Sequence, residues 1–143
     1  MAERSEFRPG SEPAVSYAAF ARWYDMYRAD VLDPALVVAE VALEGVLHDA
    51  LSDRDLARIR RPVGRVKAKP RVWRKLGTAR YSQRVGTVHD IPDVIDDLIG
   101  VRLTCTNRRD IDVVREVFDA LPTSGDGGAE LWLDPASERD YLN

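Results

Sequence analysis

The chain has 143 residues, of which 45% are hydrophobic and 31% charged, and its formal net charge is −3. That length suits one domain with a sizeable core, and the composition is that of an ordinary globular protein. No apolar run approaches the roughly 20 residues of a membrane span, and the charged opening from Met1 to Glu6 does not read as a secretory signal.

The single cysteine, Cys105, has no internal disulfide partner, which agrees with a reducing compartment. Two histidines and one cysteine, far apart in sequence, make no zinc pattern. The expectation is a soluble, cytoplasmic domain with no membrane partner.

In chain order, residues 1–12 are polar and rich in Glu, Arg, Ser, Pro and Gly, and predict a flexible tail. Tyr17, Phe20, Ala21, Tyr24 and Tyr27 recur at three- and four-residue steps, which predicts an amphipathic helix over 13–31. Asp33 followed by Pro34 reads as an N-cap with proline at the first helical position. Leu36, Val37, Leu43, Val46, Leu47 and Leu51 carry that next helix to about residue 51. Ser52 then caps a short helix across 53–59, and the whole stretch 13–59 reads as a helical lead-in.

Val63 to Lys69 alternates and predicts a strand. Pro70 opens a helix that ends near Gly77, and 78–90 shows no period and reads as a mobile loop. One helical turn over 92–96 precedes a strand over 98–106. On that strand Arg102 faces one side, while Val101, Leu103 and Cys105 face the other. Ile111, Val114, Val117, Phe118 and Leu121 mark an amphipathic helix. A turn at Ser124–Gly128 and the start of a strand at Glu130–Leu133 follow. Helices alternating with strands predict an α/β or α+β fold. His89 reads as a solvated loop residue, Cys105 as a small buried one, and the three tryptophans as packing residues.

Charge is distributed unevenly. From Arg58 to His89 there are eleven Lys or Arg and no Asp or Glu. One-signed charge over that length suits a polyphosphate or nucleic-acid backbone, and a solvated surface segment is the bland alternative. On a strand, Arg65 and Lys67 share a face; on the following helix, Arg71, Arg74 and Lys75 share another. Strand and helix together would hold a triphosphate between two cationic surfaces, with arginine gripping phosphate oxygens in bidentate fashion. Asp96 and Asp97 stand at the mouth of the next strand, where a carboxylate suits Mg²⁺ together with substrate phosphates. Equally, the pair would serve to end a helical turn and to bind nearby arginines.

Taken together, Gly64-Arg65-Val66-Lys67, Val72-Trp73-Arg74-Lys75-Leu76, Asp93-Val94-Ile95-Asp96-Asp97-Leu98-Ile99-Gly100-Val101-Arg102 and Arg139-Asp140-Tyr141-Leu142 resemble RelA/SpoT-type (p)ppGpp synthetase domains. The likeness covers about residues 60–143 and identifies that stretch with the front part of such a domain. It implies a nucleotidyltransferase-like mixed sheet flanked by helices, incomplete at its C-terminal end. It also implies transfer of the β,γ-pyrophosphate of ATP to the ribose 3′-hydroxyl of GDP or GTP. Carried over by position, Arg65, Lys67, Arg74 and Lys75 match ATP-binding residues, Asp97 matches the catalytic Mg²⁺-binding aspartate, and Arg102 matches the arginine of the strand after it.

The likeness departs at Arg71, where family members carry a phosphate-binding serine; a longer cation there either binds phosphate itself or fills its place. It departs again after Asn143, before the family's guanine-binding stretch and its second, glutamate carboxylate. The resemblance thus implies an ATP- and Mg²⁺-binding half that is inactive alone. Three readings follow: part of an active synthetase; a degenerate member binding nucleotide or a protein partner, itself included; or a toxin-type relative that pyrophosphorylates tRNA.

Overall fold

The computed structural model describes residues 14–122. The predicted tail at 1–12, the turn at Ser124–Gly128, the strand at Glu130–Leu133 and the Arg139–Leu142 segment lie outside them. Among the described residues the architecture is α+β, with helices and one two-stranded antiparallel sheet. No helix among them is long and apolar enough to cross a membrane.

Helix α1 spans Tyr17–Tyr27, and its N-cap Ser16 accepts from the Ala19 N–H at 3.2 Å. The chain then runs through a π-helical turn, Arg28–Leu32, directly into α2, Asp33–Ala50. Asp33 was expected to break the helix as an extended N-cap; instead it is helical, at φ −62° and ψ −46°, and its N–H donates to the Arg28 carbonyl. Pro34 explains the difference. Its ring has no N–H and crowds the carbonyl one turn back, and the wider π turn relieves that crowding without ending the helix.

Short α3, Asp53–Leu56, begins at Ser52, which accepts from the Asp55 N–H at 3.2 Å as its sequence foretold. Strand β1, Val63–Val66, pairs with β2, Ile99–Arg102. Between them lie α4 (Lys69–Leu76), α5 (Ala79–Ser82), a 3₁₀ turn at Val88–Asp90, and α6 (Ile91–Val94). Helix α7, Arg108–Asp119, closes the described chain.

The described residues fall into two compact units, and the chain passes between them within α2, β1 and β2. Unit one holds residues 14–36 and 65–100, and unit two holds 37–64 and 101–122.

Unit one has the larger apolar core. Phe20 and Tyr24 of α1, Val72 and Leu76 of α4, and Ile91 of α6 are fully buried, with Val85 and Ile95 all but closed to solvent. Trp73 packs against Phe20 with ring centroids 5.2 Å apart, so Trp73, like Trp23, is a packing residue. Burial of each such side chain stabilises by about 1.5–3 kcal/mol. The stretch 78–90, read from sequence as a loop, belongs to this core: Tyr81 on α5 and Val85 are buried. Two apolar anchors four residues apart leave no period to read, yet they pin the segment.

In unit two, Ala42 and Leu47 of α2 and Val114 of α7 are buried. Asn107 and Asp110 form a reciprocal capping box at the start of α7. Arg58 approaches the buried Asp110 at 3.7 Å.

Candidate functional site

The site lies in unit one and is built from three short pieces of chain. The first is Lys67, immediately after β1, whose N–H donates to the Leu98 carbonyl at 2.8 Å. The second is α4, a helix because Pro70 sits in its first turn and Val72 and Leu76 bury one face. The third is the turn after α6, where Ile95 and Leu98 are buried and Asp96 and Asp97 between them are exposed. The buried Ile95 and Leu98 anchor the turn on either side and leave Asp97 outward, beside Lys67.

Asp97 is the centre. Its Oδ2 accepts from Lys67 Nζ at 2.6 Å and its Oδ1 from Lys75 Nζ at 2.8 Å. The two lysine side chains are 21% and 23% exposed and the carboxylate 50%, so the cluster opens to solvent on the acid's side. Burial works against the charged form of Asp97, but the hydrogen bonds from Lys67 and Lys75 and their charges outweigh it, holding its carboxyl below the usual range. Burial likewise works against charged Lys75; the hydrogen bond and charge of Asp97, followed by Tyr81, outweigh it and hold the ammonium above its usual value.

Sequence reasoning missed three supporting residues. Tyr81 lies under Lys75, 5.1 Å from ring centroid to Nζ, and under Arg80 at 5.3 Å. The Tyr24 hydroxyl donates to the Lys67 carbonyl and fixes the strand end. Lys69 pairs with Asp25 of α1 at 2.6 Å, so this lysine is engaged in structure. A tyrosine amid arginines and lysines was the one visible signal for Tyr81; the other two depend on α1 packing against α4.

The remaining expected residues separate clearly. Arg65 on β1 and Arg71 and Arg74 on α4 are exposed, without a side-chain partner among the described residues. The three cations expected to share a face of α4 are therefore divided: Lys75 turns to Asp97, while Arg71 and Arg74 stay in solvent. Arg102 ends β2 in unit two and is exposed.

Lys67 and Lys75 against Asp97 leave one net positive charge at the centre; Arg65, Arg71 and Arg74 on the same unit add three, partly offset by the exposed Asp93 and Asp96. Such a group attracts an anion with several charged oxygens. A resident Mg²⁺ does not fit it. Both Asp97 oxygens are taken by ammonium groups, and among the described residues no group of three or more His, Cys, Asp or Glu could hold a metal.

No family model matches the chain, and neither the curated proteins nor the solved structures give a match.

Proposed function

We propose that unit one binds the triphosphate of ATP, as the donor site of a (p)ppGpp synthetase of the RelA/SpoT type. The observation that carries this reading is the convergence of Lys67 and Lys75, from two separate elements, on the one carboxylate of Asp97. A pure surface ion pair needs one lysine. Two, both more than three-quarters buried, on a unit that also carries the exposed Arg65, Arg71 and Arg74, suit a preorganised cationic cradle.

In this reading ATP enters as its Mg²⁺ complex, a substrate in which phosphate oxygens and water supply most of the metal's ligands. Were the phosphates to take up Lys67 and Lys75, Asp97 would be the carboxylate left beside the substrate and its cation. Arg65, Arg71 and Arg74 remain to grip the outer oxygens in bidentate fashion. The transfer moves the β,γ-pyrophosphoryl group to the ribose 3′-hydroxyl of GDP or GTP and releases AMP. Its demand on the protein is placement and charge neutralisation, which these side chains supply. The wider fold belonging to this reading is nucleotidyltransferase-like, built around the β1–β2 pair.

Calorimetric titration with α,β-methylene-ATP and Mg²⁺ tests the reading. Saturable binding is expected at submillimolar concentration, weakened about tenfold or more in Lys67→Ala and in Arg65→Ala, since each loses a charge-assisted contact. Absence of saturation at about 10 mM, or equal affinity in both variants, would overturn it.

A further inference from the structure

Glu44, Leu47 and His48 stand three and four residues apart on α2 and share one face. With Leu56 of α3 and with Ile59, Arg60, Arg61 and Pro62, they line a cleft of about 450 Å³. Every one of these residues belongs to unit two, so the cleft is separate from the lysine–aspartate cluster.

Its lining is divided about evenly between polar and apolar surface; on the apolar side Leu47 and Pro62 are buried and Leu56 and Ile59 half-buried. One wall is rigid. Ile59 bridges to Cys105, the Arg60 N–H donates to the Thr104 carbonyl at 2.8 Å, and the Thr106 N–H donates to the Arg58 carbonyl at 3.1 Å.

The charges around the rim do not cancel. Arg61 meets Glu44 through Nε–Oε1 at 3.2 Å and Nη2–Oε2 at 3.4 Å, a bidentate pairing that uses up the carboxylate. Arg60 and His48 are exposed, and among the described residues their side chains have no partner. A cleft of this size, within the 300–1,000 Å³ range of small-molecule sites, lined by four apolar side chains together with an unpaired guanidinium and an imidazole, has the chemistry to hold one kind of ligand.

We infer that this cleft binds a small organic anion: a ring-sized apolar body against Leu47, Leu56, Ile59 and Pro62, with a carboxylate or phosphate group held by Arg60 and His48. It is a second site, independent of the donor-nucleotide reading.

Titrating the ¹⁵N-labelled full chain with 1-naphthyl phosphate, 1-naphthoate and the neutral 1-naphthalenemethanol tests this directly. Saturable shifts are expected at the amides of Leu47, His48, Ile59 and Arg60, with a dissociation constant below about 1 mM for at least one anion. Arg60→Gln should weaken that anion about tenfold. His48→Gln, on an exposed helix position, should weaken it to a smaller degree. Stronger binding of the phosphate or of the carboxylate tells which head group the site prefers. Equal binding of the neutral alcohol, affinity unchanged in both variants, or no saturable shift at about 10 mM would overturn the inference.

Discussion

Replacing Asp97 by asparagine keeps the shape of the cluster and removes its only negative charge. In the proposed reading, a phosphate group displaces that carboxylate from Lys67 at 2.6 Å and Lys75 at 2.8 Å, and then sits beside it. Two unit charges about 4 Å apart interact by about 1 kcal/mol in water and about 4 kcal/mol at the effective dielectric of a protein surface. Asp97 is 50% exposed, which favours the lower part of that span. Removing about 1.5 kcal/mol of repulsion tightens anion binding about tenfold. The assay is calorimetric titration with α,β-methylene-ATP in excess EDTA, where no cation masks the carboxylate. Asp97→Asn should bind the metal-free nucleotide about tenfold more tightly than wild type. Circular dichroism should show the fold retained, since the two ion pairs are partly solvated. Affinity that stays the same or falls in Asp97→Asn would refute the role of Asp97 as the counter-ion displaced by phosphate.

Other consequences concern the scaffold. Phe20→Ala removes a fully buried ring that touches Tyr24 and Trp73, and urea unfolding should show a loss of about 3–5 kcal/mol. Asp110→Ala removes half of the α7 capping box and leaves Arg58 without its carboxylate; thermal unfolding should report a loss of about 1–2 kcal/mol. Acid and alkali both weaken the cluster, each through a different group. Because the Asp97 carboxyl is held below its ordinary value of 3.8, its contribution to stability is complete above that pH and disappears as pH falls through the lowered value. Lys75 is held above 10.5, so its contribution is complete below that pH and disappears as pH rises through the raised value. The difference in urea midpoint between wild type and Asp97→Asn should therefore be constant through neutral pH and shrink only at the two extremes.

Much of the helical framework was legible because its signals are local. The aromatic spacing of α1, Ser52 as a cap, Pro70 in the first turn of α4 and the apolar stripe of α7 each depend on residues within a turn or two of one another. The strand after Asp97 was also legible as alternation, with Val101, Leu103 and Cys105 half-buried and Arg102 and Thr104 exposed. What escaped depends on distant partners. The π turn at Arg28–Leu32 reconciles Pro34 with a continuous helix, and nothing in the dipeptide Asp33-Pro34 distinguishes that outcome from an N-cap. Helix α5 forms because Tyr81 and Val85 enter the unit-one core, a tertiary reward invisible to periodicity.

At the candidate site, sequence named Lys67, Lys75 and Asp97, and the structure brings those three together. It also gathered Lys75 with Arg71 and Arg74, which geometry separates: on α4 the buried pair Val72 and Leu76 sets the orientation, and Lys75 alone reaches the acid. Asp97 was read as a Mg²⁺ ligand because it matches the metal-binding aspartate of the resembled family, with pairing to nearby cations as the alternative. The lysines that claim both its oxygens approach from 30 and 22 residues away in sequence, and such a pairing becomes visible only once the chain is folded.

The central claim is that Lys67, Lys75 and Asp97 form the seat of a nucleotide triphosphate. ¹H–¹⁵N spectra of the full chain during titration with α,β-methylene-ATP and Mg²⁺ test it most directly. Saturable shifts confined to residues 65–75 and 96–98, and abolished in the Lys67→Ala, Lys75→Ala double variant, are the expected result. Shifts that are absent at about 10 mM nucleotide, or that persist undiminished in the double variant, would contradict it.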